Sequence, residues 1–247
     1  RVESSAASDV YKRQPITLII TFMKYGHYTD KGLPESAHGW RCPSRDPMPD
    51  GKRNVIVLGC SHTYGVGLAN NQHWVHHISQ HNTKRYRYWN LGQPGASGEQ
   101  IVRILYGTEK LFDPKVIIVC WPLWHRRERL EKYPISLIGG DQLLKTETDE
   151  TDKQNFLKNV FWVQKFAEQN NCTTFHCFAE EDYHEHIGDL QTLSTYTIAN
   201  CWPYWNKFEQ RKRYDKPSLA KDGQHYGVEH HKRFAELFLE RFAVKLR

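Results

Sequence analysis

The chain has 247 residues, of which 39% are apolar and 25% charged, with 34 Lys and Arg against 28 Asp and Glu and a net charge of +6. Such a length and balance suit one globular domain of ordinary to large size and exclude a fibrous, low-complexity or mainly disordered chain. The basic excess is spread along the sequence, with only modest concentrations at 126–132 and 211–216, so an extended nucleic-acid groove is not indicated.

Residues 1–14, RVESSAASDVYKRQ, show no hydrophobic period and read as a non-native segment; Met23 is the first methionine. The apolar run ITLIITF at 16–22 is too short to cross a bilayer and has no small-residue cleavage site behind it. Neither a membrane span nor a signal peptide is recognised, which leaves the compartment cytoplasmic or unknown. Residues 15–53 read as an irregular arm, rich in Gly, Pro, Ser and charge from residue 30 onward. The domain proper is expected over 54–247.

Within it, VIVL at 55–58 predicts a short buried strand, followed by a helix near 70–80, a strand at 86–91 and a helix at about 99–111. An apolar strand at 116–120 comes next. This β-α-β-α-β order predicts a parallel sheet covered on both faces. After a polar insertion at 121–149, Phe156, Val160, Val163 and Phe166 fall at helical spacing within 153–169, and a strand follows at 173–178. Residues 181–220 look irregular and aromatic. A last helix at about 228–244 should turn Phe234, Leu237, Phe238 and Phe242 inward. The six cysteines, Cys42, Cys60, Cys120, Cys172, Cys177 and Cys201, form no C-x-x-C pair and read as reduced, mostly buried thiols.

The chemistry concentrates where the first strand ends. Gly59, Cys60, Ser61, His62 and Thr63 follow it directly, and Gly65 and Gly67 loosen the chain beyond. A small polar residue just past the carboxyl end of a strand stands where open α/β sheets expose their sites. Ser61 is therefore either a helix cap or a nucleophile. It does not sit in the G-x-S-x-G elbow, because Thr63 stands where the second glycine is required. Near the other end, DGQHYG places Asp222 and His225 three residues apart just ahead of the last helix. That spacing suits an aspartate bonded to the imidazole it orients, and a serine, an imidazole and a carboxylate are the parts of a serine hydrolase.

In these blocks the chain resembles the SGNH hydrolases, the GDSL-like esterases and lipases. The resemblance spans about 55–242 and implies a three-layer α/β/α sandwich with a flavodoxin-like parallel sheet. It implies Ser61 as nucleophile, Asp222 and His225 as the D-x-x-H pair, and the N–H groups of Ser61 and of Gly95, in NLGQPGASG, as oxyanion donors. It also implies a serine esterase that needs no cofactor or metal and acts on a small acyl ester, with O-acetyl groups on a carbohydrate as the expected substrate class. Two positions depart from the pattern. Cys60 replaces an aspartate that supports the turn, and the third block, CWPLWHRRE at 120–128, has no counterpart of the oxyanion asparagine. Trp124 or Arg126 could supply an N–H in its place.

Other assignments stay open on residues alone. Cys60 could itself be a nucleophile; strand alternation points it away from Ser61. His73, His77 and His81 at four-residue spacing on one predicted helix read as a solvated outer face; with His184, Glu185 and His186 they leave a zinc site as the alternative, although no H-E-x-x-H occurs. Trp121, Trp124, Trp202, Tyr204 and Trp205 are packing aromatics or a sugar platform, with Trp124, Arg126 and Trp205 the candidate substrate contacts. From a different class, a non-catalytic carbohydrate-binding or structural protein, viral for instance, would retain the fold and tolerate the missing asparagine.

Overall fold

The computed structural model describes residue 41 and residues 51–130, 134–137, 148–178, 196–198 and 219–246. Residues 1–14, nearly all of the arm, His184 to His186, and Trp202, Tyr204 and Trp205 lie outside the described residues.

The first strand, β1, is Arg53–Gly59, in which Val55, Ile56, Val57 and Leu58 are fully buried. A four-residue helix, α1 (Ser61–Tyr64), follows at once, then α2 (Trp74–Ser79), β2 (Tyr86–Asn90), α3 (Gly98–Phe112) and β3 (Pro114–Trp121). The polar insertion holds an antiparallel hairpin, β4 (Arg127–Leu130) with β5 (Pro134–Leu137). Helix α4 (Asp149–Asn170) leads to β6 (Thr173–Phe178), and a three-residue strand, β7 (Tyr196–Ile198), lies in the region expected to be irregular. Helix α5 (Val228–Phe242) and a 3₁₀ turn (Ala243–Leu246) come last.

The main sheet runs in the order β2-β1-β3-β6-β7 with every pairing parallel. Side chains alternate across a strand, so a strand buried on both faces must be apolar at consecutive positions. Ile56 and Leu58 face one core with Ile117, Val119, Ile101, Leu105, Val160 and Phe166, contributed by β3, α3 and α4. Val55 and Val57 face the other, with Ile118, Phe175, Trp74, Ile78, Phe234 and Phe238, from β3, β6, α2 and α5. Two helices on each face give the three layers. Trp74 is fully buried, with its ring centroid 4.6 Å from Phe234, and truncating such an aromatic costs about 3–5 kcal/mol.

Local signals set the ends of the helices. The Ser97 hydroxyl accepts from the Gln100 N–H at the start of α3, and Thr148 and Thr151 cap α4 reciprocally. Both helices stop at a left-handed residue, Asp113 at φ 39° and Asn171 at φ 52°. Helix α2 is shorter than the sequence suggests. His73 is its N-cap, accepting from the His76 N–H, and His81 lies past its end, so the three histidines do not line one helix face. His73 is only 4% exposed, unlike the solvated face that its spacing suggests. Helix α5 buries His231, Phe234, Ala235, Phe238 and Phe242, with Leu237 half-buried at the margin. Among the described residues no helix is long and apolar enough to cross a membrane.

Burying histidines gives the fold a pH limit. Burial is the leading cause that lowers His73 and His176 to about 3, and that holds His62 and His231 well below the ordinary 6.5. These rings are neutral when folded, whereas the unfolded chain takes up protons below about 6.5. Their contribution to stability is present above that pH and is lost as pH falls toward 3. Thermal melts should therefore show a Tm that declines steadily from neutral pH into the acid range; a flat Tm between about pH 7 and 4 would contradict it.

Candidate active site

The turn after β1 carries Ser61 and is packed closely on three sides. Cys60 occupies the N-cap position of α1 without a side-chain cap bond, and Ser61 is the first helical residue, so Ser61 is not the cap. Cys60 is 4% exposed and packs in the α3/α4 core. On one side, a Cβ at Gly92 would come within 2.5 Å of the Tyr64 backbone N, so only glycine lets the loop after β2 approach so closely. The Asn90 side chain ties that loop down: its amide donates to the Thr63 carbonyl at 2.8 Å, and its oxygen accepts from the Gly92 N–H at 3.0 Å.

Gly95 is placed by ordinary turn chemistry. Pro94 and Gly95 occupy the centre of a turn closed by the Ala96 N–H donating to the Gln93 carbonyl at 3.1 Å, with Gly95 at φ +76°. Proline followed by a glycine of positive φ is the type II pattern. The Gln93 N–H donates to the Gly59 carbonyl at 2.9 Å, which anchors the turn to the end of β1. Space around the Gly95 Cα is open, with nothing within 4 Å of where a Cβ would lie. Among the described residues, neither the Ser61 N–H nor the Gly95 N–H enters a turn hydrogen bond.

The sequence signals gave no hint of Arg41. This arm residue is 7% exposed, and its guanidinium donates to the carbonyls of Tyr64, Gly65 and Leu68 and, at 2.8 Å, to the Asn70 side chain. It clamps the segment that leaves the Ser61 turn.

Asp222 and His225 lie in a small hairpin whose Ala220 N–H donates to the His225 carbonyl at 2.9 Å. One Asp222 oxygen accepts from the N–H groups of Gln224 and His225, both at 3.0 Å; the other meets His225 Nδ1 at 2.5 Å. Partial burial pushes the Asp222 carboxyl upward, but the two backbone donors and the His225 side chain outweigh it and hold the group below its ordinary value. With Nδ1–H committed to Asp222, the imidazole lone pair lies on Nε2. Asp222 and His225 side chains remain 29% and 24% exposed, as an accessible pair should be.

The hairpin is seated against the β1 turn. The Lys221 N–H donates to the Gly67 carbonyl at 3.2 Å, and a Cβ on Gly67 would meet Ala220 at 2.9 Å and the Asp222 carboxyl carbon at 3.3 Å. The His62 ring, next in sequence to Ser61, lies edge-on to His225 with centroids 5.4 Å apart and 5.3 Å from Tyr226. His62 is another residue that sequence patterning missed. Burial is the leading cause that holds it well below the ordinary 6.5, with the Arg126 guanidinium among the lesser ones.

Trp124 packs on the α3/α4 core and carries the Lys153 ammonium 5.2 Å from its ring centroid. Among the described residues no group of three or more His, Cys, Asp and Glu is arranged to hold a metal ion.

No protein-family profile and no curated protein matches the sequence. Solved structures do match in fold. The crystal structure of TesA superposes with a TM-score of 0.55 at 13% identity, over 77% of this chain and 98% of that one. A GDSL-like lipase from Bacteroides thetaiotaomicron gives 0.50 at 12% identity, over 83% and 93%. The acetyl xylan esterase AlAXEase gives 0.50 at 14% identity, over 76% and 98%. The architecture is thus the α/β/α fold of the SGNH, or GDSL-like, hydrolases, as the sequence blocks imply.

Two substitutions test this geometry. Replacing Arg41 by Ala removes charge-assisted hydrogen bonds to three backbone carbonyls and should lower stability by about 2–4 kcal/mol, measured by denaturant titration. Gly67→Ala sets a methyl group against the hairpin at a positive φ of 74° and should displace Asp222 and His225. A changed histidine ring environment by NMR would report that displacement; an unaltered His225 signal would exclude it.

Proposed function

We propose that the protein is a serine esterase acting on small acyl esters, with O-acetyl groups on a carbohydrate as its substrate class. The observation that carries the reading is the bonded Asp222–His225 pair, held by the Gly67 carbonyl and by His62 beside the turn that bears Ser61. In this reading His225 Nε2 takes the Ser61 proton as Oγ attacks the ester carbonyl. Asp222 keeps the imidazole in the required tautomer and stabilises the imidazolium. The N–H groups of Ser61 and Gly95 bond the developing oxyanion. His225 then protonates the departing alcohol, and a water activated by the same imidazole hydrolyses the acyl-enzyme. No cofactor enters this scheme. The acetyl substrate class is supported by the likeness of fold to an acetyl xylan esterase.

A second reading, a carbohydrate-binding or structural protein on the same fold, draws on the third block, where no asparagine stands. A fluorophosphonate probe separates the two, because it labels an activated serine and ignores a binding module. If the esterase reading holds, Ser61→Ala and His225→Ala each remove nearly all hydrolysis of p-nitrophenyl acetate, and the double variant loses little more than either. Asp222→Asn loses less than His225→Ala, and Cys60→Ala keeps most of the activity. Wild type that neither takes the probe nor hydrolyses any short acyl ester would hand the protein to the second reading.

A further inference from the structure

The third block contains three consecutive charged residues whose surroundings differ sharply. Arg127 is neutralised: it bonds Asp152 at 2.9 Å, donates to the Thr151 carbonyl and lies 3.8 Å from Glu99. Glu128 takes Arg103 in a bidentate pair at 2.6 and 3.2 Å. Arg126 has no such counterpart among the described residues. Its Nε and Nη1 are buried without a hydrogen-bond partner. A guanidinium drawn out of water without an acceptor is costly, because both its charge and its N–H donors go uncompensated. An arrangement of this kind fits an anion that is present only for part of the reaction.

Its place in the fold says which anion. Gly59 and Cys120 are register partners in the parallel β1–β3 pair, so the chain leaving β3 emerges beside the chain that turns into Ser61. Five residues past the end of β3, the Arg126 N–H donates to the Leu123 carbonyl at 3.2 Å, a turn that folds this chain back at the same edge of the sheet. The positive field of Arg126 reaches His62, the neighbour of Ser61.

Resting on the esterase reading, we propose that Arg126 is a catalytic residue, donating N–H to the tetrahedral oxyanion in place of the absent asparagine. When Ser61 Oγ bonds to the carbonyl carbon, the π pair moves onto the carbonyl oxygen and the hydroxyl proton goes to His225. The negative oxygen then meets three donors: the N–H groups of Ser61 and Gly95 and the Arg126 guanidinium. On collapse the pair returns, the carbon–alkoxide bond breaks and the alcohol leaves with the His225 proton. No further reactant is required. A neutral ester gives the guanidinium nothing anionic to hold before the attack, so the gain falls on the transition state.

The test is steady-state kinetics on p-nitrophenyl acetate, a neutral ester, for wild type, Arg126→Ala and Arg126→Lys, beside p-nitrophenyl hemisuccinate, which bears a carboxylate. Arg126→Ala should lower kcat on the neutral ester by about a hundredfold to a thousandfold with KM little changed. Arg126→Lys should fall between, and guanidinium chloride well below denaturing concentration should restore part of the Ala variant's rate. Rescue and the Lys variant, checked by thermal melt, separate lost chemistry from lost folding. An unchanged kcat overturns the proposal. So does a loss confined to KM for the anionic ester, which would make Arg126 an anchor for a substrate carboxylate. Wild type that fails fluorophosphonate labelling defeats the esterase reading and this proposal with it, whereas labelled, active wild type with an equally active Ala variant defeats only the role of Arg126.

Discussion

A helix of four residues leaves carbonyl groups that its own N–H groups cannot reach, and the candidate site depends on how that shortfall is met. The Ser61 carbonyl takes the N–H groups of Gly65 and Val66, the Thr63 carbonyl takes Asn90, and those of Tyr64, Gly65 and Leu68 take Arg41. Two of these donors come from elsewhere in the chain. The turn bearing Ser61 is therefore held from outside by side chains of the arm and of β2, so its geometry belongs to the tertiary structure. A buried carbonyl deprived of its donor costs about 1–3 kcal/mol, enough to make each of these bonds matter to the position of the serine.

The far end of the chain is fixed by the same means. Asp222 spends three of its acceptor positions within its own hairpin, which shapes the loop before it touches anything else. One backbone bond to the Gly67 carbonyl and the ring contacts of His62 then seat the loop. Glycine at 67 and at 92 serves one end in both cases: it lets backbone lie against backbone where a methyl group would hold the segments apart.

Much of this was legible in the amino-acid order because the signals are local. The consecutive apolar residues 55–58 announce a strand buried on both faces, and the D-x-x-H spacing announces an aspartate that can reach its own histidine. What escaped is non-local or too short to carry a period. Arg41 reads as one more charge in a polar arm, and only the folded chain brings it to carbonyls 23 to 27 residues away. Strand β7 has three residues, fewer than any alternation can reveal, and the β4–β5 hairpin hides in a charged insertion. The histidines of α2 misled because a helical spacing says nothing about where a helix begins: with His73 as its cap, the assumed face dissolves. In the third block the residues alone left Trp124 and Arg126 as equal candidates for the replacement donor, since whether a guanidinium finds an acceptor is decided by the surrounding fold.

The packing of α2 against α5 bears on how the polypeptide comes into being. The Trp74 N–H donates to His231, 157 residues further along, and the Trp74 ring rests on Phe234 and Phe238. Strand β1 and helix α2 leave the ribosome well before α5, yet the apolar face they share with Val75 and Ile78 has no cover until α5 has been translated. The nascent chain must carry that greasy surface until α5 emerges, a stage at which chaperone engagement competes with aggregation. Closure of the sandwich is thus deferred until α5 has been translated, and the hairpin bearing Asp222 and His225, which immediately precedes α5, meets the Ser61 turn in the same event.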